Sequence, residues 1–188
     1  MRVYIVRHGE SVNNLNKNWT GWTDVPLTEK GRDDARKAGE FLKGITFDKV
    51  YSSDLSRAMD TARIALPGCV FETSPLFREV NVGEIGDKPL EILSVDERIA
   101  ASRYGYAPYG GESQNEFGER IRRAMSMLEE TSYNTVAIFA HAGFLRAFLD
   151  KVVGTYLPRQ NVRCDNCAVA IFDFENKEWK LHSWINGR

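Results

Sequence analysis

The apolar positions of the chain fall into short unbroken runs separated by stretches in which they recur every three or four residues. Val3 to Val6 is an unbroken run between Arg2 and Arg7, the pattern of a strand buried on both faces. Leu27-Thr28 opens a helix with Thr28 as its N-cap, and Ala35, Ala38, Phe41 and Leu42 form its inner stripe. Phe47 to Tyr51 is a second, weaker strand, followed by a helix from about Asp54 to Leu66. Phe117, Ile121, Ala124, Met125 and Leu128 sit at helical spacing on a long helix from about Ser113 to Glu130. Val136 to Ala140 is the strongest strand signal. Gly143 to Val153 is a helix with Phe144, Ala147, Phe148 and Val152 available for burial. Cys167 to Phe174 and Glu178 to Trp184, spaced by Glu175-Asn176-Lys177, predict a β-hairpin. Residues 84–112, rich in Gly, Pro and Tyr, carry the weakest pattern and are expected to form an excursion over one edge of the sheet.

Alternating strands and helices followed by a hairpin predict an α/β protein, a three-layer α/β/α sandwich around a mainly parallel sheet. No internal repeat, low-complexity tract or Gly/Ser linker interrupts the chain, so residues 1–188 are read as one domain. With 43% apolar and 27% charged residues the composition is that of a globular protein. The 25 basic and 26 acidic side chains leave a net charge of −1, which gives no general pull toward nucleic acid or an anionic membrane. Attraction for an anion must therefore come from a local cluster of cations. Met1-Arg2 leads straight into the first short apolar run, so no signal peptide or membrane span is expected, and the protein is placed in the cytoplasm. Oligomeric state is left open. Cys164 and Cys167 form a CxxC pair, but no second pair completes a zinc site, and Cys167 is read as a small buried hydrophobe.

In a parallel sheet covered by helices, ligands bind beyond the carboxyl ends of the strands. Three such exits carry polar residues: Arg7-His8-Gly9-Glu10, then Ser52-Ser53-Asp54 with Arg57, and His141-Ala142-Gly143. If the strands are parallel, two histidines and two arginines converge on one edge. Glycine behind each histidine permits close backbone approach. Two arginines supply permanent charge in a fork suited to phosphate oxygens. The helix starting near Asp54 would add the positive end of its dipole and free N–H groups. His182 lies in the last strand without such company and is read as structural.

Arg7-His8-Gly9-Glu10-Ser11 with Asn14 resembles the signature of the histidine phosphatase superfamily, the phosphoglycerate mutase-like proteins. Further stretches are similar to that family in the same order. These are Thr20 to Gly31, Ser53 to Ala62, Phe77-Arg78-Glu79 with Gly83-Glu84, Gly110 to Ser113, and His141 to Arg146. The chain size and the Gly-Trp-x-Asp-x-Pro-Leu-Thr segment resemble the phosphatase branch, of the α-ribazole phosphatase kind.

The resemblance implies a two-step phosphohydrolase acting on a small phosphomonoester without metal or other cofactor. His8, neutral, would attack phosphorus. Arg7, Arg57 and His141 would surround the phosphoryl oxygens, with Asn14 as a further donor and His141 acting best as a cation. Glu79 would protonate the leaving oxygen and then take a proton from the hydrolytic water. Glu112 is another possible acid. Thr20 and Gly21 are similar to substrate contacts of the mutases. Trp19, Trp22, Tyr104, Tyr106 and Phe144 are available to line the substrate mouth.

Two features depart from the family pattern. Gly83-Glu84-Ile85-Gly86-Asp87 replaces the usual Gly-x-Trp-x-Gly, and Glu79-Val80-Asn81-Val82-Gly83 replaces the mutases' Glu-Arg-x-Tyr-Gly. The second favours hydrolysis over transfer. A mutase is the nearest alternative reading, and a phospho-ligand-binding module without turnover is the other.

Overall fold

A computed structural model describes residues 1–186; the last two positions of the expected 1–188 unit lie outside them. In chain order the elements are β1 (Arg2–Arg7), α1 (Val12–Leu15), α2 (Glu29–Leu42), β2 (Lys49–Ser52), α3 (Ser56–Ala65), β3 (Glu72–Thr73), α4 (Val95–Tyr104), α5 (Gln114–Glu129), β4 (Thr135–Ala140), α6 (Ala142–Val153), β5 (Val169–Glu175) and β6 (Glu178–Ile185). Short 3₁₀ turns link them. The six strands form one sheet in the order β3-β2-β4-β1-β5-β6. All neighbours from β3 to β1 run parallel, whereas β5 is antiparallel to both β1 and β6.

The side-chain alternation of the strands splits the core into two layers. Val3, Ile5, Val136, Ile138 and Phe172 face α5 and α6, where they meet Phe117, Ile121, Phe144 and Phe148. Tyr4, Val6, Ala137, Phe139 and Ile171 face α2 and α3, against Ala35, Ala38, Leu42 and Ala62. The expected α/β/α sandwich is thus formed, and small residues on α2 and α3 let those helices lie close to the sheet.

Several boundaries differ from the sequence reading for local reasons. Phe41 is exposed, because at 3.6 residues per turn it lies about 90° off the stripe of Ala35, Ala38 and Leu42. The second strand starts at Lys49, since the Asp48 carboxylate accepts the N–H groups of Asn134 and Thr135. The third helix starts at Ser56, because Asp54 is drawn into a paired contact with Arg78. Residues 84–112 contain an unforeseen helix, α4, opened by a Ser94–Glu97 capping box. They cover the carboxyl edge of the sheet, burying Ile85, Leu93, Ala101 and Tyr106 in a satellite cluster with Val82. Cys164 and Cys167 are both free thiols and belong to opposite faces of the sheet, Cys164 on the α5/α6 side and Cys167 on the α2/α3 side.

Among the described residues no helix is long and apolar enough to cross a membrane. At the far end of the sheet His182 pairs with Asp173, which also holds Arg2.

The β5–β6 hairpin closes with only Asn176 and Lys177 between the paired Glu175 and Glu178, and both have positive φ, 52° and 65°. Such a turn is the primed kind, whose second position favours glycine. Lys177→Gly should therefore stabilise the protein by about 0.5–1 kcal/mol, the left-handed cost of a side chain less the entropy of glycine. Urea denaturation of the two proteins checks this.

Candidate active site

The parallel strands bring three exits together. The His8 N–H donates to Ala140 O at 2.9 Å and the Ser53 N–H donates to Phe139 O at 2.8 Å, so β1, β2 and β4 end side by side. Because β5 is antiparallel, it begins where β1 ends. The Arg7 N–H donates to Ala168 O, and Asn166 Nδ2 donates to His8 O at 3.2 Å. Gly9 lies against Gly31, and a methyl group on either would run into backbone of the other segment. The loop after β1 is therefore pressed onto the start of α2, where Thr28 caps the helix.

His8 is buried and its two nitrogens are distinguished. Nδ1 lies 2.7 Å from Gly9 O, an acceptor only, so Nδ1 carries the proton. Nε2 is then the unprotonated nitrogen, and its lone pair accepts from Arg57 Nε at 3.3 Å. Burial first, then the charges of Arg57 and Arg7, holds the imidazole well below its ordinary pKa. Arg57 itself is fully buried. Its Nη groups donate to Thr23 O at 3.0 Å and Gly21 O at 2.8 Å, so all its bonds go to uncharged acceptors. Burial pulls its pKa down to about 10, and it remains a cation at neutral pH. Thr61 ties the two together: its hydroxyl donates to Arg57 O and accepts from Gly9 N.

Arg7 donates to Cys164 O at 2.5 Å, and its Nε is buried without a partner among the described residues. His141 is fully buried, 5.1 Å from His8 between ring centroids, with both ring nitrogens unpartnered among the described residues. Its ring meets that of His8 edge-on, and it is not among the residues that line the cavity. Burial, reinforced by Arg57, lowers its pKa well below the ordinary value. Burial thus favours the uncharged ring, and a second charge beside Arg57 would add to the cost.

Glu79 is held by two backbone donors, Val80 N at 2.9 Å and Gly143 N at 3.0 Å. Gly143 is required there, since a methyl group would collide with the Glu79 carboxylate. The Glu79 carbonyl accepts from Trp22 Nε1 at 2.7 Å and from Arg120 Nη2 at 2.9 Å. Arg120, buried on α5, also donates to Leu76 O and Arg78 O and pairs with Glu112. Glu112 is occupied by Arg120 and by the N–H of Asn81, and does not line the cavity. Asn14 Oδ1 accepts from Ser11 N and Asn166 Nδ2, which leaves the Asn14 amide as the donating end.

Arg7, His8, Asn14, Thr20, Gly21, Arg57 and Glu79 all line one cavity of about 190 Å³. Larger hollows of about 580 Å³ beside α2 and β6 and about 740 Å³ beside α2 and α3 do not reach His8. Of the aromatic residues proposed for the mouth, Trp19 and Tyr106 line the cavity. Trp22 instead braces Glu79, Phe144 is core and Tyr104 is exposed. The start of α3, expected to offer free N–H groups, is taken by Asp24, whose carboxylate accepts from Ser56 N at 2.8 Å. Arg146 and Arg159 also line the cavity, and sequence reasoning gave neither a role. Among the described residues no group of three or more His, Cys, Asp or Glu side chains could hold a metal ion. The arrangement offers a neutral imidazole lone pair, facing arginines, beside a carboxylate: the parts needed to receive a phosphoryl group and move a proton.

A family model described as Histidine phosphatase superfamily (branch 1) matches residues 3–187. A relative from Yersinia enterocolitica, named "Probable phosphoglycerate mutase GpmB", is 30% identical, over 98% of this chain and 90% of its own. Among solved structures, the α-ribazole phosphatase from Shigella flexneri superposes with a TM-score of 0.86 at 26% identity, over 100% of this chain and 96% of that one. A phosphoglycerate mutase from Thermus thermophilus gives a TM-score of 0.79 at 30% identity, over 100% of both chains.

In an unfolded chain His8 and His141 titrate near 6.5, whereas in the fold both are held neutral to lower pH. The unfolded state therefore binds more protons below that value. Stability is fully present above it and is lost as pH falls toward the depressed folded values. Each histidine should contribute a slope of about 1.4 kcal/mol per pH unit within that window. Urea titrations between about pH 7.5 and about pH 5.5 check this. His141→Gln should flatten the pH dependence by one histidine's share, and an unchanged slope would mean that His141 takes up its proton in the folded protein.

Proposed function

The chain belongs to the histidine phosphatase superfamily, and from that membership we propose that it hydrolyses a small phosphomonoester through a phosphohistidine on His8. The observation that carries this reading is the state of His8. Its Nδ1 proton is fixed on Gly9 O, and its Nε2 lone pair sits beside Arg57 in a cavity lined by Glu79. Arg7 and Arg57 take the phosphoryl oxygens, and Arg57 turns its Nε from His8 to the incoming group. Asn14 adds an amide donor. His141 sits against His8 with two unpartnered ring nitrogens; the arriving dianion favours its protonated form, which would donate to a phosphoryl oxygen.

In the first step His8 Nε2 forms the bond to phosphorus as the ester P–O bond breaks, and Glu79 gives a proton to the leaving oxygen. Gly9 O supports the charge that develops on the ring. In the second step Glu79 takes a proton from water, whose oxygen bonds to phosphorus as the N–P bond breaks. Inorganic phosphate leaves, and His8 and Glu79 return to their starting states. The arginines supply the charge that a metal ion would otherwise bring to the transition state. Glu112 is engaged by Arg120, which supports the reading of Glu79 as the proton carrier.

A mutase reading draws support from the names of the Yersinia and Thermus relatives. It differs in the fate of the phosphoryl group, which would pass to a second alcohol instead of water.

Turnover of p-nitrophenyl phosphate in the presence of EDTA should release inorganic phosphate, and an acid-labile label should appear on His8. His8→Ala should fold and lose both. Interconversion of 2- and 3-phosphoglycerate faster than phosphate release would instead favour the mutase. Full phosphatase activity in His8→Ala would sink the mechanism.

Glu79→Gln separates the two proton transfers. With an alkyl phosphate, whose alkoxide leaves poorly, phosphorylation of His8 should slow by roughly 10²–10⁴-fold. With p-nitrophenyl phosphate that step should change far less, and a burst of nitrophenol should precede slow turnover. Rapid-quench kinetics read both. Equal slowing with the two substrates would assign Glu79 to shaping the cavity.

A further inference from the structure

The outward face of α4 carries apolar side chains that no described residue covers. Ile92, in the turn leading into the helix, and Val95, Ile99 and Tyr104 are between 49% and 67% exposed. The inward side is fixed by Ala101, which packs with Leu93 and Tyr106, and by Ser102, which lines the cavity. Asp96, Ile99, Ala100 and Arg103 are all exposed and share an outward arc of about 100° at 3.6 residues per turn.

The charges on this face lack partners of their own. On the other surface helices opposite charges pair along one helix, as Asp33 does with Arg36, Asp60 with Arg63 and Glu119 with Arg122. The Asp96 carboxylate has no ion pair or hydrogen bond among the described residues. The Arg103 guanidinium has only the ring of Tyr104, 5.4 Å from its centroid. Seven residues apart, the two stand about 10 Å from each other along the helix, too far to pair. Ile99 and Ala100 lie midway between them.

Such a face is complementary to itself. An antiparallel copy related by a two-fold axis beside Ile99 and Ala100 sets each Asp96 opposite the partner's Arg103 and packs Ile99 against the partner's Ile99. A parallel copy would oppose like charges. Val95 then points into the partner's counterpart of a hollow of about 340 Å³ that Ile99, Arg103 and Pro158 line on each chain. We propose that α4 is a self-association face, on which a second copy of this chain packs antiparallel in a symmetric dimer. The paired side points away from Ser102, so the cavity stays open in the dimer. A ten-residue helix is about 15 Å long and about 10 Å across, well under the roughly 800 Å² per partner of a standard interface. The dimer is therefore a weak one, formed by mass action at micromolar concentration.

Sedimentation velocity of the whole protein from about 1 to about 500 µM reads the equilibrium. The dimer fraction should rise with concentration and fall with added salt. Asp96→Arg and Arg103→Asp each oppose like charges twice across the axis, and each should weaken association by about tenfold or more. An equimolar mixture of the two variants sets an all-basic face against an all-acidic one, and should associate at least as well as the unmodified protein. Ile99→Ser, which leaves the charges alone, should also weaken the dimer without lowering Tm, because the side chain is exposed. A monomer throughout the range would overturn the proposal, as would a dimer that none of the three substitutions weakens. Folded charge variants that fail to complement each other in the mixture would overturn the antiparallel pairing. Where circular dichroism shows a charge variant unfolded, Ile99→Ser and the salt dependence of the unmodified protein decide the matter.

Discussion

The site depends on a fully buried guanidinium whose bonds all go to uncharged atoms. Arg57 directs its donors to His8 Nε2, Gly21 O and Thr23 O, so its charge is satisfied in geometry but not in sign. A buried cation in that condition is expensive, and the structure keeps it by surrounding it with oriented carbonyl groups. The same residue sets much else. It depresses the proton affinity of His8 and of His141. Through Thr61 it fixes the Gly9 N–H and therefore the loop that carries His8. The segment bearing Gly21 and Thr23 is held over the cavity by the same two Nη bonds.

A second framework sets the carboxylate. Arg120 binds the carbonyls of Leu76, Arg78 and Glu79, while Glu112 neutralises it and reaches the N–H of Asn81. Trp22 closes the arrangement from the other side, with the Arg78 guanidinium over its ring. A stretch without strand or α-helix is thereby given the rigidity that regular structure supplies elsewhere. Gly143 then lets α6 approach closely enough for its N–H to meet the Glu79 carboxylate. The two frameworks meet at one cavity from opposite sides of the sheet's carboxyl edge.

Much of this was legible in the sequence because its signals are local. The runs at Val3–Val6 and Val136–Ala140, the stripe from Phe117 to Leu128 and the hairpin follow directly from periodicity. Strand exits located His8, Arg57 and His141, and the resemblance added Glu79 and Asn14. What escaped is of two kinds. α4 lacks an apolar stripe, and Val95 and Ile99 are exposed, so no periodicity marks it; only its Ser94 capping box does. The contacts made by Thr61, Arg120 and Asn166 and the cavity positions of Arg146 and Arg159 join side chains to distant backbone, which spacing along one chain does not encode. Phe41 shows the reverse error, an apolar residue counted into a stripe from which the helical angle excludes it.

The sheet order has a further consequence, for how the chain is made. β1 leaves the ribosome before the other five strands, yet its neighbours are β4 and β5: Arg2 pairs with Thr135 on one side and Asp173 on the other. This apolar early segment therefore waits, edge-unsatisfied, until the residues through β5 have been synthesised, and unpaired strand edges of that kind invite aggregation. Arg2 and Arg7 bracket the run with charge, as gatekeepers do around unavoidable hydrophobic strands. Arg7 thus serves the nascent chain before it serves the cavity. The loop with His8 takes its final shape only when the segment leading into β5 arrives, because Asn166 and Cys167 hold the His8 carbonyl.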